Sequence, residues 1–135
     1  MKVCIVVSNF YPKISELLID GAVSKLKKNK ISNFQIINVP GIFEIPVVVS
    51  NFIGKYDAFI VLGCILKGQT SHFHYLCSST IDALTNLSIK FKKPIGNGIL
   101  TCDNKKQALQ RADPNKKDKG GAAANAAISV SRIIK

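Results

Sequence analysis

Residues 56–66 read YDAFIVLGCIL, and residues 67–74 continue the chain as KGQTSHFH. Near-continuous apolar character over so short a run suits a strand buried on both faces of a parallel sheet, because a strand with one wet face alternates instead. The continuation decides the fold class. Residues 73–91 set Leu76, Thr80, Leu84 and Leu87 on one helical stripe, so the strand passes through a glycine turn straight into a long helix.

The same unit recurs on either side. Residues 1–8 carry VCIVV, residues 36–39 form a second short apolar run, and residues 95–101 form a weaker one. Helical patterns fill the intervals at 14–28, with Leu17, Leu18, Ala22 and Leu26 on one stripe, and at 45–53. Strand and helix alternate, and parallel strands joined by crossover helices give an α/β fold, here a three-layer α/β/α sandwich with a four-stranded parallel sheet. Two more helices are expected at 105–112 and 120–134, separated by Asp113, Pro114 and Asn115, a sequence that stops helices. Internal repeats and linkers are missing, so residues 1–135 read as one domain, about two-thirds of whose unfolded surface would be buried.

Composition narrows the function classes. Hydrophobic residues make up 47% of the chain, yet no apolar run approaches the roughly 20 residues that span a bilayer. The first residues, MKVCIVVSNFYPK, show no signal-peptide cleavage pattern. Cys4, Cys64, Cys77 and Cys102 are scattered without CxxC spacing, which suits a reduced, cytoplasmic location and offers no metal site. The net charge is +11, but Arg111 and Arg132 are the only arginines among 19 basic residues. Strongly hydrated lysines spread over helices and loops read as solvated surface, so neither a nucleic acid nor a membrane is expected as partner.

Ligands of an open parallel sheet lie beyond the carboxyl ends of its strands, which directs attention to four loops. After the third strand, Gly68 opens a turn into a helix whose first N–H groups, with the hydroxyls of Thr70 and Ser71, suit a phosphate; simple helix capping is the other reading. His72 stands at that helix mouth, with a side chain able to give and take protons at neutral pH. After the second strand, residues 39–46 (VPGIFEIP) place an aromatic and an acid beside a Pro-Gly turn, with Pro46 in the first turn of the next helix. Phe10 and Tyr11, after the first strand, offer a stacking surface for a planar heterocycle or pack the sheet edge. After the fourth, Thr101, Cys102 and Asp103 are expected to cap a helix carrying Gln107 and Arg111, whose planar fork matches phosphate.

VSNF at 7–10, VPGIFEIP at 39–46, GCILKGQTSHFHYL at 63–76, PIGNGILTCDNKKQALQRAD at 94–113 and DKGGAAANAA at 118–127 together resemble the lumazine synthase family, in register from Val3 to almost the C-terminus. The resemblance implies a flavodoxin-like fold and a reaction with neither metal nor organic cofactor. In that reaction 5-amino-6-(D-ribitylamino)uracil condenses with 3,4-dihydroxy-2-butanone 4-phosphate to 6,7-dimethyl-8-ribityllumazine, releasing phosphate and water. By the same resemblance His72 is the proton donor and Phe10 stacks on the pyrimidine. Ile42, Phe43 and Glu44 bind the ribitylaminouracil, Glu44 taking ribityl hydroxyls. Cys64, Ile65 and Leu66 hold the uracil edge mainly through their backbone. Gln69 and Thr70 contact the phosphate ester, Arg111 clamps it, and Lys119 matches a family lysine.

The chain departs from the family pattern at Tyr11, at His74 and within GAAA, and at Asn97, where an aromatic often covers the substrate from a neighbouring subunit. Members form pentamers, some assembled into sixty-subunit shells, with the active site shared between subunits. Because this chain starts at its first core strand, without the extension that in many members joins a neighbour's sheet, a homopentamer is expected and the shell stays open. A non-catalytic relative binding flavin or lumazine, and a riboflavin synthase built on the same fold, are the alternative readings.

Overall fold

The computed structural model describes residues 1–68 and 72–135. Its chain alternates strand and helix: β1 (Val3–Ser8), α1 (Pro12–Lys28), β2 (Phe34–Val39), a 3-10 turn (Ile42–Glu44), α2 (Ile45–Phe52), β3 (Ala58–Leu66), α3 (His72–Phe91), β4 (Ile95–Cys102), α4 (Lys105–Ala112) and α5 (Lys119–Ile133). The four strands form one sheet in the order β2-β1-β3-β4, and each neighbouring pair is parallel. This is the flavodoxin-like order, in which the chain first builds outward from β1 to β2 and then reverses to β3.

The two faces of the sheet sort the helices into two layers. Alternate β-strand residues point to opposite faces, so Ala58, Ile60, Leu62 and Cys64 of β3 join Ile5 and Val7 beneath α1, α4 and α5. Phe59, Val61 and Ile65 join Cys4 and Val6 on the side covered by the 3-10 turn, α2 and α3. Helix α1 docks through Ile14, Leu18, Ala22 and Leu26, a strict four-residue spacing. Leu17, expected on that stripe, lies at its margin and is only partly buried.

Burial on both faces holds for the central strands and fails for the outer ones. All six residues of β1 are buried, as is β3 up to its last residue. In β2 only Val39 is buried, and β4 alternates, because an edge strand has a neighbour on one side only. Tyr56 and Asp57, expected within the third strand, precede it. The Tyr56 hydroxyl donates to the side chain of Gln35, and Asp57 accepts from the backbone N–H of Lys2 at 2.6 Å, so the pair closes off the amino end of the sheet.

Helix α5 packs closely against β4 and α1. Residues 120–131 contain no charged side chain, and their small residues let the helix backbone lie directly on its neighbours. A Cβ on Gly96 of β4 would run into the Ala123 carbonyl, and one on Gly120 into the Leu18 carbonyl of α1. Close packing of this kind tolerates no added volume. It also fixes β4, and with it everything built on that outer strand.

Candidate active site

The β1–β3 ladder ends at the pair Val7 and Leu62, while the β3–β4 ladder runs on to Leu66 and Cys102. Residues 63–66 therefore have a strand neighbour on one side only. This is the switch point of the sheet, where the loops after β1 and β3 part and leave a crevice at the strand ends. The side chains of Cys64 and Ile65 are buried, so what this segment presents toward the crevice is backbone.

Three loops rise around that segment. Phe10, after β1, is 67% exposed, and its ring meets Tyr11 edge-on at 5.0 Å. After β2, Ile42 is buried and seats over Gly63, where a Cβ would strike its Cδ1. That anchor lifts the next residues clear of the sheet: Phe43 is 72% exposed and Glu44 half-buried. Phe43 and Glu44 line a cavity of about 310 Å³ with Pro46, Val47 and the α3 residues Ser79, Thr80 and Ala83. His72, the first residue of α3, is exposed and follows β3 on the same rim. Gln69, Thr70 and Ser71 lie outside the described residues.

The remaining candidates gather elsewhere. Asn97, Arg111 and Lys119 line a groove of about 440 Å³ along the free edge of β4, together with Lys117 and residues 98–101. None of the rim residues belongs to it. The Asn97 carboxamide oxygen accepts from the N–H of Ile99 at 3.0 Å, turning its side chain back on its own strand. Arg111 sits in the last turn of α4, and its Nη1 donates to the Thr101 carbonyl at 3.3 Å and to Cys102 Sγ at 3.6 Å.

The local chain explains why Arg111 faces β4. Asn104, not the expected Thr101 to Asp103 segment, caps α4: its side chain accepts from the N–H of Gln107 at 2.8 Å. The Gln107 side chain reaches back to the N–H of Asp103 at 2.9 Å, so the first turn is closed from both directions in the manner of a capping box. Strand β4 runs to Cys102, one residue further than the expected 95–101, and moves the cap along with it. With Ala108 and Ala112 buried against the sheet, Arg111 is left on the β4 side.

Of the residues not assigned to the site from sequence, Lys117 shares the groove and Cys102, expected only in a helix cap, contacts Arg111. Lys117 was hidden in a lysine-rich turn; the only signal for Cys102 was its place at the end of a strand. Cys102 also meets Cys64 across the β3–β4 seam, and burial together with that contact pushes the Cys64 thiol up to about 12. Among the described residues no group of three or more His, Cys, Asp or Glu is placed to hold a metal ion. A further groove, lined by Asp57, Lys92, Pro94, Ile128 and Arg132 among others, lies at the amino ends of the strands and includes none of the candidates.

Two candidate regions of different chemistry thus lie on one chain, one backbone-rich and aromatic, the other cationic. The family model for 6,7-dimethyl-8-ribityllumazine synthase matches residues 1–135. Proteins of that name resemble the chain over nearly their whole length. The one from Bartonella tribocorum is 42% identical over 137 residues, covering 98% of this chain and 89% of its own. The one from Bartonella henselae is 41% identical, covering 100% and 89%, and the one from Streptomyces coelicolor 36%, covering 100% and 86%. The chain belongs to the 6,7-dimethyl-8-ribityllumazine synthase family.

Proposed function

We propose that the protein condenses 5-amino-6-(D-ribitylamino)uracil with 3,4-dihydroxy-2-butanone 4-phosphate to 6,7-dimethyl-8-ribityllumazine, releasing phosphate and water, the penultimate step of riboflavin biosynthesis. The observation that carries this reading is the one-sided end of β3. Backbone N–H and C=O groups of Cys64, Ile65 and Leu66 alternate along an edge without a strand neighbour, which matches the donor and acceptor edge of a uracil. Phe10 stacks on the ring. Ile42 and Phe43 flank it, and Glu44 accepts from the ribityl hydroxyls.

His72 serves as proton donor and acceptor as the amine adds to the carbonyl, water and phosphate leave, and the second ring closes. Arg111 holds the phosphate with charge-assisted hydrogen bonds, and Lys119, with Gln69 and Thr70, completes its surroundings. The rate gain comes from proton transfer, charge neutralisation and the holding of two substrates side by side.

The rim and the groove occupy different parts of one subunit, which supports a site assembled from the rim of one subunit and the groove of the next. The assembly we infer is a homopentamer, with Arg111 and Asn97 reaching across each interface. The exposed apolar side chains Val47, Tyr75 and Ile89 give α2 and α3 the surface such an interface buries. Each subunit is one domain, in line with a single sheet and a family match spanning residues 1–135. Cytoplasmic residence accords with four free cysteines, three of them buried, and with the absence among the described residues of any helix long and apolar enough to cross a membrane.

The deciding experiment supplies purified protein of measured assembly state with both substrates and follows lumazine absorbance. Product above the uncatalysed rate is expected. A pentameric sample that forms none, or one that instead turns lumazine into riboflavin, overturns the reading.

A further inference from the structure

We propose that Cys102 is a positioning residue for the reaction: with the Thr101 carbonyl it fixes the Arg111 fork in the orientation that receives the phosphate. The inference rests on the assignment of Arg111 as the phosphate clamp. Both hydrogen bonds leave from Nη1, to Thr101 O at 3.3 Å and to Cys102 Sγ at 3.6 Å. Among the described residues no acceptor occupies Nη2 or Nε. One nitrogen is thus tethered to the strand end while the remaining donors stay available to a ligand.

The nature of the tether matters. A carboxylate would hold the guanidinium more firmly but would neutralise it. Among the described residues Arg111 has no such partner, and a sulfur and a carbonyl orient it while leaving its charge for a phosphate. Arginine loses much side-chain freedom when it binds, so a fork already held in place binds phosphate more tightly than a free one.

The sulfur is itself held. Cys102 is the last residue of β4, 1% exposed and packed in the core beside Cys64, Ala108 and Ala112. Cys64, whose thiol burial and the neighbouring Cys102 push up to about 12, packs in the same buried cluster, in the β3 segment assigned to the uracil edge. The sulfur pair therefore links the end of β3 to the groove through two buried side chains.

Two substitutions separate positioning from packing. Cys102→Val keeps an apolar side chain of similar size and removes the acceptor; Cys102→Ser keeps an acceptor and adds a buried polar group. Thermal midpoint, kinetic constants for each substrate and inhibition by inorganic phosphate are measured for both. Cys102→Val is expected to raise KM for the butanone phosphate and the inhibition constant of inorganic phosphate by about 3- to 10-fold, with KM for the ribitylaminouracil and kcat unchanged. Cys102→Ser is expected to stay within about twofold in both phosphate constants even if it is the less stable variant. Should Cys102→Val fail to assemble, Cys102→Ala takes its place.

Arg111→Ala, measured alongside, tells two failures apart. If it raises the phosphate constants while Cys102→Val leaves them unchanged, or if the Val and Ser variants shift together with stability, the positioning role is overturned and the clamp stands. If Arg111→Ala itself leaves them unchanged, the clamp falls and the inference with it.

Discussion

The rim over the end of β3 and the groove along β4 stand on the same sheet but are built from opposite materials. The rim offers exposed aromatic rings, strand backbone and one half-buried carboxylate, whereas the groove offers Arg111, Lys117, Lys119 and polar backbone, with no carboxylate in its lining. A flat heterocycle with a polyol tail needs the first set and a phosphate needs the second. Their separation on one subunit follows from topology. The crevice opens where β1 stops pairing with β3, while the groove faces outward from β4, on the far side of β3 from β1. In the homopentamer proposed above, the rim of one subunit would meet the groove of the next.

Four measurements sharpen or break that contrast. His72→Ala, on the rim, is expected to lower kcat by about 10²- to 10⁴-fold with the assembly intact, the range for losing a general acid–base group; a drop below tenfold removes His72 from the chemistry. Arg111→Ala, in the groove, is expected to raise KM for the butanone phosphate by about 100-fold, the loss of a charge-assisted pair, and to leave KM for the ribitylaminouracil nearly unchanged. Phe43→Ala should do the reverse, raising KM for the ribitylaminouracil by about tenfold through lost apolar contact. Equal effects of either variant on both substrates would erase the division of labour.

The fourth tests whether the halves meet across an interface. Subunits carrying His72→Ala and subunits carrying Arg111→Ala, each nearly inactive alone, are unfolded together and reassembled. If every site takes its rim from one subunit and its groove from the next, random mixing in a ring leaves about a quarter of the sites intact, with activity to match. Sites contained in single subunits would give no recovery.

Much of the fold was legible because its signals are local. Buried strands β1 and β3 announce themselves as apolar runs, and α1 and α3 as stripes at helical spacing. What was misread lay at the edges. Phe34 and Gln35 belong to β2, yet a strand with one neighbour need not be apolar throughout, and the polar Gln35 disguised it. The cap of α4 shifted to Asn104 because neighbouring Asp and Asn residues cap equally well, and only the extra residue of β4 decides between them.

For the candidate site, residue types and loops were readable and relations were not. That Phe43 stands clear of the sheet depends on Ile42 seating over Gly63. That Arg111 faces β4 depends on Ala108 and Ala112 lying beneath α4. Neither follows from spacing, since both are packing events between segments far apart in sequence. The division into rim and groove likewise became visible only with the strand order, because β4 had to be placed at the edge before its loop could be separated from the others.

The small-residue seam of α5 bears on how this chain can vary. Nineteen basic residues cover its helix ends and turns, where charge and identity can drift at little cost to folding. On the buried face of α5 that freedom narrows, since at Gly120 even a single methyl group would displace a backbone carbonyl. That face is therefore a mutational fixed point. Substitutions can accumulate around it, but the strand it clamps, and the cationic groove that strand borders, are inherited as a unit or lost together.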